Sequence, residues 1–135
     1  MSELVIYDSM QNKKVLFEPV DENNVRVYAC GPTVYDYAHI GNARMAVVFD
    51  TLIRLLKHLY PKVTYVSNIT DIDDKIINRS NLEKVPVSVI TEKFTKIYNH
   101  DMRMLNVFKP DYQPKATEYV KKMVQAIVEL EEKDY

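Results

Sequence analysis

The sequence predicts an α/β fold, the N-terminal half of a nucleotide-binding sheet with a helical extension. Three observations carry this. A β-rich segment, Val25 to Cys30, gives way to a helical period from Ala43 to Tyr60, and a second β-rich segment follows at Val63. A strand, a helix and a strand in that order make a βαβ unit with parallel strands. Beyond the second strand the chain reads as helical and turn-rich, without a third crossover strand, so the sheet is half of the usual one. Residues 1–85 are expected to form this half-domain and residues 86–135 a helical extension; either the chain is a fragment or another polypeptide completes the sheet.

Composition sets the outer limits. The 135 residues are 47% hydrophobic and 27% charged with two glycines, which suits one globular domain with a real core. A formal net charge of −1 excludes nucleic-acid binding by bulk basicity, so any such contact needs a local patch or surface from elsewhere. The single cysteine excludes an internal disulfide and fits a reducing compartment. Met1-Ser2-Glu3-Leu4 does not read as a signal peptide, and no apolar run is long enough to span a bilayer. The expectation is a soluble cytoplasmic domain with no membrane partner.

Taken in order, Leu4 to Tyr7 and Val15 to Phe17 flank a turn and predict a hairpin-like start. Val25 to Cys30 alternates and is rich in β-branched residues, and Gly31-Pro32 ends it because proline cannot donate to a ladder. In the helix from Ala43 to Tyr60, Ala46, Phe49, Leu52, Ile53, Leu56 and Leu59 share one face, with Asp50, Arg54 and Lys57 opposite. Pro61 ends it, and Val63 to Val66 is the second strand. Thr70 to Arg79 predicts a short helix. A longer one after Pro86 carries Val89, Ile90, Phe94, Ile97, Tyr98, Met102 and Leu105 as its stripe. Lys109 to Pro114 reads as a turn-rich linker, and a last helix from about Lys115 to Lys133 is expected to bury Val120, Met123, Val124, Ile127 and Val128.

The chemistry concentrates after the first strand, in Cys30-Gly31-Pro32-Thr33-Val34-Tyr35-Asp36-Tyr37-Ala38-His39-Ile40-Gly41-Asn42. A helix opening there aims free N–H groups at its surroundings and attracts phosphate. Cys30 reads as a metal ligand, a nucleophile or an inert buried thiol; taken alone, the buried thiol is the commonest case. One cysteine does not make a zinc site, which needs three or four ligands. His39 can donate to phosphate oxygens, Gly41 allows a flat base to approach the backbone, and Asn42 is an N-cap candidate. The bland alternative is a turn with a helix cap. Arg44 lies one turn on, as a phosphate contact or as a surface ion-pair partner of Asp50 or Asp36.

Parallel strands open both following loops on one sheet edge, which brings Cys30, His39 and Thr70 near one another. Thr70 sits at a strand's carboxyl end, where its hydroxyl can meet a ligand. The run Thr70-Asp71-Ile72-Asp73-Asp74-Lys75 has the look of a cation site, but carboxylates in a first helical turn are what capping and the helix dipole favour.

Cys-Gly-Pro-Thr-Val-Tyr-Asp at 30–36, His-Ile-Gly-Asn at 39–42 and Asn-Ile-Thr-Asp-Ile-Asp-Asp-Lys at 68–75 together resemble the amino-terminal part of cysteinyl-tRNA synthetase. The likeness runs from the Leu-Val-Ile-Tyr start to Lys109-Pro110-Asp111. It implies a class I synthetase with a Rossmann-type catalytic domain, in which ATP with Mg and cysteine give cysteinyl-adenylate before transfer to tRNA(Cys). It implies a zinc whose first ligand matches Cys30, with cysteine, histidine and glutamate ligands far downstream and the substrate thiolate completing the shell. Zinc prefers thiolate over a serine hydroxyl, so such a site selects cysteine without editing. By the same resemblance His39 and Asn42 are the catalytic pair, His39, Gly41 and Asn42 hold ATP, and Gly31, Thr33 and Thr70 line the cysteine pocket. The family's usual residue at the position of Asn42 is histidine; asparagine still donates a hydrogen bond.

The Lys-Met-Ser-Lys-Ser-type loop, the other zinc ligands and an anticodon-binding domain do not occur in the sequence. The 135 residues alone are therefore expected to be inactive, to retain zinc poorly and to expose a sheet edge. Two alternatives stand beside the synthetase: the cysteine ligase of mycothiol synthesis, and a non-catalytic fragment that complements another chain.

Overall fold

The computed structural model describes residues 4–135; Met1 to Glu3, on which the reading of the N-terminus partly rests, lie outside them. The chain is a mixed α/β structure. β1 (Val5–Asp8) and β2 (Lys13–Leu16) form the expected antiparallel hairpin, with Val5 opposite Leu16 and Asp8 opposite Lys13. The turn is built by Asp8, whose carboxylate accepts the N–H groups of Met10 at 2.7 Å and Gln11 at 3.2 Å. Asn12 takes the left-handed backbone that closes it, at φ 54°.

β3 (Val25–Ala29), α1 (Ile40–Leu59) and β4 (Val63–Ser67) follow, and β3 pairs with β4 in parallel, Val25 beside Val63 and Ala29 beside Ser67. Alternation decides the faces. Val25, Ala29, Val63 and Tyr65 point to one side and bury with Ile53 and Leu56 of α1. Each fully buried Ile or Leu there contributes about 1.5–3 kcal/mol relative to exposure. Tyr28 points the other way and stays exposed.

α1 starts at Ile40, three residues before the expected start, because His39 rather than Asn42 is its cap. Asp50 also departs from the expected solvent face. It is buried, accepts the Phe108 N–H at 2.8 Å and pairs with Arg54 at 2.7 Å. Asp50 thereby anchors the segment after the third helix, a tertiary role that helical period does not encode.

α2 spans Asp74–Glu83, so Thr70 lies outside the short helix predicted for it; Asp73 is the cap, accepting the Lys75 N–H at 2.9 Å. α3 (Val87–Met104) buries Ile90, Phe94, Tyr98 and Met102 as its period predicts, whereas Val89 and Leu105 are exposed at the margins of the stripe. Ile90 and Phe94 pack with Val34, Ile69 and Ile76, directly beneath the loops that follow β3 and β4. Tyr98 and Met102 pack with Ala46 of α1.

The segment expected as a linker is ordered against the sheet. Ser67 N–H donates to the Tyr112 carbonyl at 3.1 Å, Ile69 N–H to the Pro114 carbonyl at 2.8 Å, and Ala116 N–H to the Ile69 carbonyl at 3.0 Å. Parallel bridges join Val66 to Tyr112 and Ile69 to Lys115. Residues 111–115 are thus a third parallel lane beside β4; of the two prolines that suggested a linker, Pro110 precedes the lane and Pro114 only removes one donor from it. On its other side β3 has no partner strand among the described residues.

α4 (Ala116–Glu131) forms where expected but buries nothing among the described residues. Val120, Met123, Val124, Ile127 and Val128 are all between 43% and 54% exposed, against the expectation of burial. A 3.6-residue period identifies the apolar face but not what covers it. Tyr119, Met123 and Ala126 wall a groove of ≈ 710 Å³ with Tyr28 and Val66 on the open sheet face. No helix among the described residues is long and apolar enough to cross a membrane.

Candidate functional site

Two loops leave the carboxyl ends of β3 and β4 side by side. Thr33 and Thr70 form a parallel bridge; Val34 N–H donates to the Thr70 carbonyl at 3.2 Å and Thr70 N–H to the Pro32 carbonyl at 3.0 Å. Two residues before that bridge in each loop, Gly31 lies so close to Asn68 that a β-carbon on it would overlap the Asn68 carbonyl oxygen. Gly31 is required here by proximity and not by an unusual backbone angle.

Cys30 is exposed at the end of β3, so the buried-thiol reading does not hold. No group of three or more His, Cys, Asp or Glu side chains is placed to hold a metal among the described residues. The acidic run after β4 is committed elsewhere. Asp71 is buried and accepts Thr117 N–H at 2.9 Å and Thr117 Oγ1 at 2.6 Å, capping α4 from a distance, and Asp73 caps α2.

The start of α1 is the most organised part of the site. His39 Nδ1 accepts the Gly41 N–H at 3.0 Å, and His39 N–H donates to Asn42 Oδ1 at 3.0 Å. Asn42 N–H donates to the His39 carbonyl at 2.9 Å. The amides expected to stand free for a phosphate are therefore largely engaged within the turn. Each side chain nevertheless keeps a donor. A neutral His39 whose Nδ1 accepts carries its proton on Nε2, and Asn42, with Oδ1 engaged, keeps its Nδ2 hydrogens. Gly41 leaves room for this arrangement, since a β-carbon there would come within 2.8 Å of the His39 ring. No acidic residue lies in the first turn of α1, whereas α2 and α4 carry Asp74 and Glu118 in theirs. The positive end of the α1 dipole is left uncompensated by side-chain charge.

His39 and Asn42 open onto a cavity of ≈ 180 Å³ that Thr33, Tyr35, Lys75 and Tyr98 also line. The loop between Thr33 and His39 is tied to α2. Arg79 donates to the Tyr35 carbonyl at 2.8 Å, pairs with Asp36 at 2.9 Å and lies 4.5 Å over the Phe94 ring. The Tyr37 N–H, and then Arg79, hold the Asp36 carboxyl below the usual carboxylate range. Burial raises the Tyr98 hydroxyl to about 12, with the charge of Tyr65 adding to the effect. Arg44 is exposed and in no ion pair among the described residues; Asp50 and Asp36, its two expected partners, are taken by Arg54 and Arg79.

The sequence is similar to known proteins. The family model described as tRNA synthetases class I (C) catalytic domain matches residues 16–135. The chain belongs to this family. It is 51% identical over 127 residues to the cysteine–tRNA ligase of Ehrlichia ruminantium (strain Gardel), covering 94% of the chain and 28% of that protein. It is 48% identical over 132 residues to the cysteine–tRNA ligase of Rhodospirillum centenum, covering 98% of the chain and 29% of that protein. With the ligase of Wolbachia pipientis wMel it shares 50% identity over 125 residues, 93% of the chain and 27% of that protein. The chain thus spans 27–29% of the length of these relatives.

Within this class I synthetase domain the structure brings Gly31, Thr33 and Thr70 together in one loop pair, and His39, Gly41 and Asn42 in one helix start. Thr33, His39 and Asn42 share the cavity. Three residues that organise the site escaped the sequence reading: Asn68, which touches Gly31; Lys75, on the cavity wall; and Arg79, which holds the loop. Asn68 and Lys75 lie inside the 68–75 motif, so the motif itself was the available signal. Nothing local marks Arg79.

Proposed function

We propose that this chain is the N-terminal part of a cysteine–tRNA ligase, with residues 1–85 supplying half of a Rossmann-type catalytic domain and residues 86–135 a helical extension. In this reading the complete protein joins cysteine to ATP, with Mg, giving cysteinyl-adenylate and pyrophosphate, and then passes the cysteinyl group to tRNA(Cys). The names of its relatives favour a tRNA ligase over the cysteine ligase of mycothiol synthesis. The chain alone is inactive in this reading, and the enzyme works in the cytoplasm.

The observation that carries the reading is the cap in which His39 Nδ1 accepts the Gly41 N–H and Asn42 Oδ1 accepts the His39 N–H. It orients both side chains with a donor outward and no carboxylate beside them. When the cysteine carboxylate attacks the α-phosphorus, negative charge grows on the phosphate oxygens and on the leaving pyrophosphate. His39 Nε2–H and the Asn42 amide are the donors that stabilise it, fixed in advance by their own hydrogen bonds. Gly41 lets ATP lie against the turn. Gly31, Thr33 and Thr70 hold the amino acid at the adjacent strand ends.

Cys30 is assigned as one zinc ligand. Its exposed thiol suits that role, but it is a single donor and a shell needs three or four, so these residues do not make a zinc site by themselves. The remaining ligands belong to other sequence.

The test is ATP–pyrophosphate exchange by the complete protein. Exchange that depends on cysteine, ignores serine and falls with Cys30→Ser supports the reading. Equal exchange with serine, or none with either, overturns it.

A further inference from the structure

Asn68 has no part in the mechanism above, yet its side chain bridges the two loops of the site. Asn68 Oδ1 accepts the Gly31 N–H at 2.8 Å, and Nδ2 donates to Thr70 Oγ1 at 3.2 Å. The orientation of the amide is fixed by chemistry, because a backbone N–H can only donate and must face the oxygen. Thr70 Oγ1 therefore receives a hydrogen bond from Nδ2 and keeps its own hydrogen, which no acceptor takes among the described residues. The Asn68 backbone is held independently of this side chain. Its neighbours Ser67 and Ile69 donate to the Tyr112 and Pro114 carbonyls, and Ile69 is fully buried.

We propose that Asn68 is a positioning residue for the amino-acid substrate, setting the Thr70 hydroxyl as a donor toward an acceptor atom of the bound amino acid while locking the Gly31 amide beside it. The inference rests on the reading of Gly31 and Thr70 as amino-acid contacts. Asparagine is the residue that accepts from one loop and donates to the other. Aspartate has the same shape but two acceptors, so it keeps Gly31 and draws the Thr70 hydrogen onto itself. That exchange reverses the polarity of Thr70 without moving the backbone.

The experiment compares the complete wild-type protein with Asn68→Asp and Asn68→Ser in ATP–pyrophosphate exchange, with cysteine and ATP varied separately. Both variants are expected to raise the cysteine KM about tenfold, one hydrogen bond's worth, while the ATP KM stays within about twofold. In a Thr70→Val background Asn68→Asp is expected to add little, because both changes remove the same donor. An unchanged cysteine KM, an equal loss toward both substrates, or full additivity in the double variant overturns the proposal. If Asn68→Asp yields no folded protein, Asn68→Ser carries the same test. A wild-type protein without cysteine-dependent exchange refutes the proposed function instead, which separates the two failures.

Discussion

Arg79 and Asp36 meet at 2.9 Å across more than a helix of intervening sequence, and this pair ties the site loop to α2. Asp36 is half exposed, so the pair by itself contributes at most about 1 kcal/mol. The stronger bond is from the Arg79 guanidinium to the Tyr35 carbonyl, a charge-assisted contact of about 1.5–3 kcal/mol. Arg79→Ala is therefore expected to destabilise the protein by about 2 kcal/mol, and Asp36→Asn by well under 1 kcal/mol, in denaturant titrations. Similar losses in the two variants would contradict this ranking.

The same pair has a pH signature. The folded-state Asp36 carboxyl lies below its usual value, held by the Tyr37 N–H and then by Arg79. Its contribution is therefore complete above the unfolded carboxylate range and is lost as pH falls through the folded value. Between about pH 7 and about pH 3 the wild type should lose more stability than Asp36→Asn, by the linkage between proton binding and folding. Parallel acid profiles would remove Asp36 from the account.

Gly31 has no space for a side chain, because a β-carbon would overlap the backbone carbonyl of Asn68. Backbone cannot rotate aside as a long side chain can, so Gly31→Ala must push the two loops apart. The cost expected is at least about 3 kcal/mol, typical of overpacking that also disturbs neighbouring hydrogen bonds. Gly41→Ala meets only the His39 ring and is expected to fold with the ring displaced, which in the complete protein should reduce the proposed exchange. Equal thermal stability of the two variants would refute the distinction.

How far the sequence reached follows from which interactions are local. The βαβ order, the parallel pairing and the stripe of α3 were legible because alternation and a 3.6-residue period are backbone geometry. The lane at 111–115 was not, because Pro110 and Pro114 read as breakers and its partners are carbonyls and amides of β4, far away in sequence. Asp50 and Asp71 misled for a related reason. Each is a carboxylate on a helix or turn whose partner, Phe108 or Thr117, comes from a distant segment. His39 was singled out, but as a donor ahead of the helix; its Nδ1 turned out to be the cap, which is a matter of rotamer and not of residue type.

Tyr98 gives an alkaline counterpart to Asp36. Burial raises its hydroxyl from 10.0 to about 12. Above the ordinary value the unfolded chain gives up this proton and the folded protein keeps it, so stability declines as pH rises toward the folded value. Tyr98→Phe should abolish that share of the decline, seen as a smaller difference between urea midpoints at about pH 9 and about pH 11. A decline identical to wild type would show that Tyr98 ionises as freely folded as unfolded.

At Asn42, helix capping can be tested apart from the proposed phosphate contact. Its Oδ1 accepts the His39 N–H, a contact that a carboxylate makes equally well, and an acidic residue in the first turn also suits the α1 dipole. Asn42→Asp should therefore leave thermal stability unchanged or slightly higher. For the proposed adenylate reaction the same change is adverse, because it replaces a donor with a negative charge at the wall of the cavity shared with His39 and Lys75. Exchange by the complete protein should fall about 100-fold, the usual loss when one preorganised donor to a developing oxyanion is removed. Asn42→His restores a donor and should recover much of that loss. Stability and exchange falling together in Asn42→Asp would mean that Asn42 serves the helix alone. Unimpaired exchange in a stable Asn42→Asp protein would place the phosphates away from the start of α1.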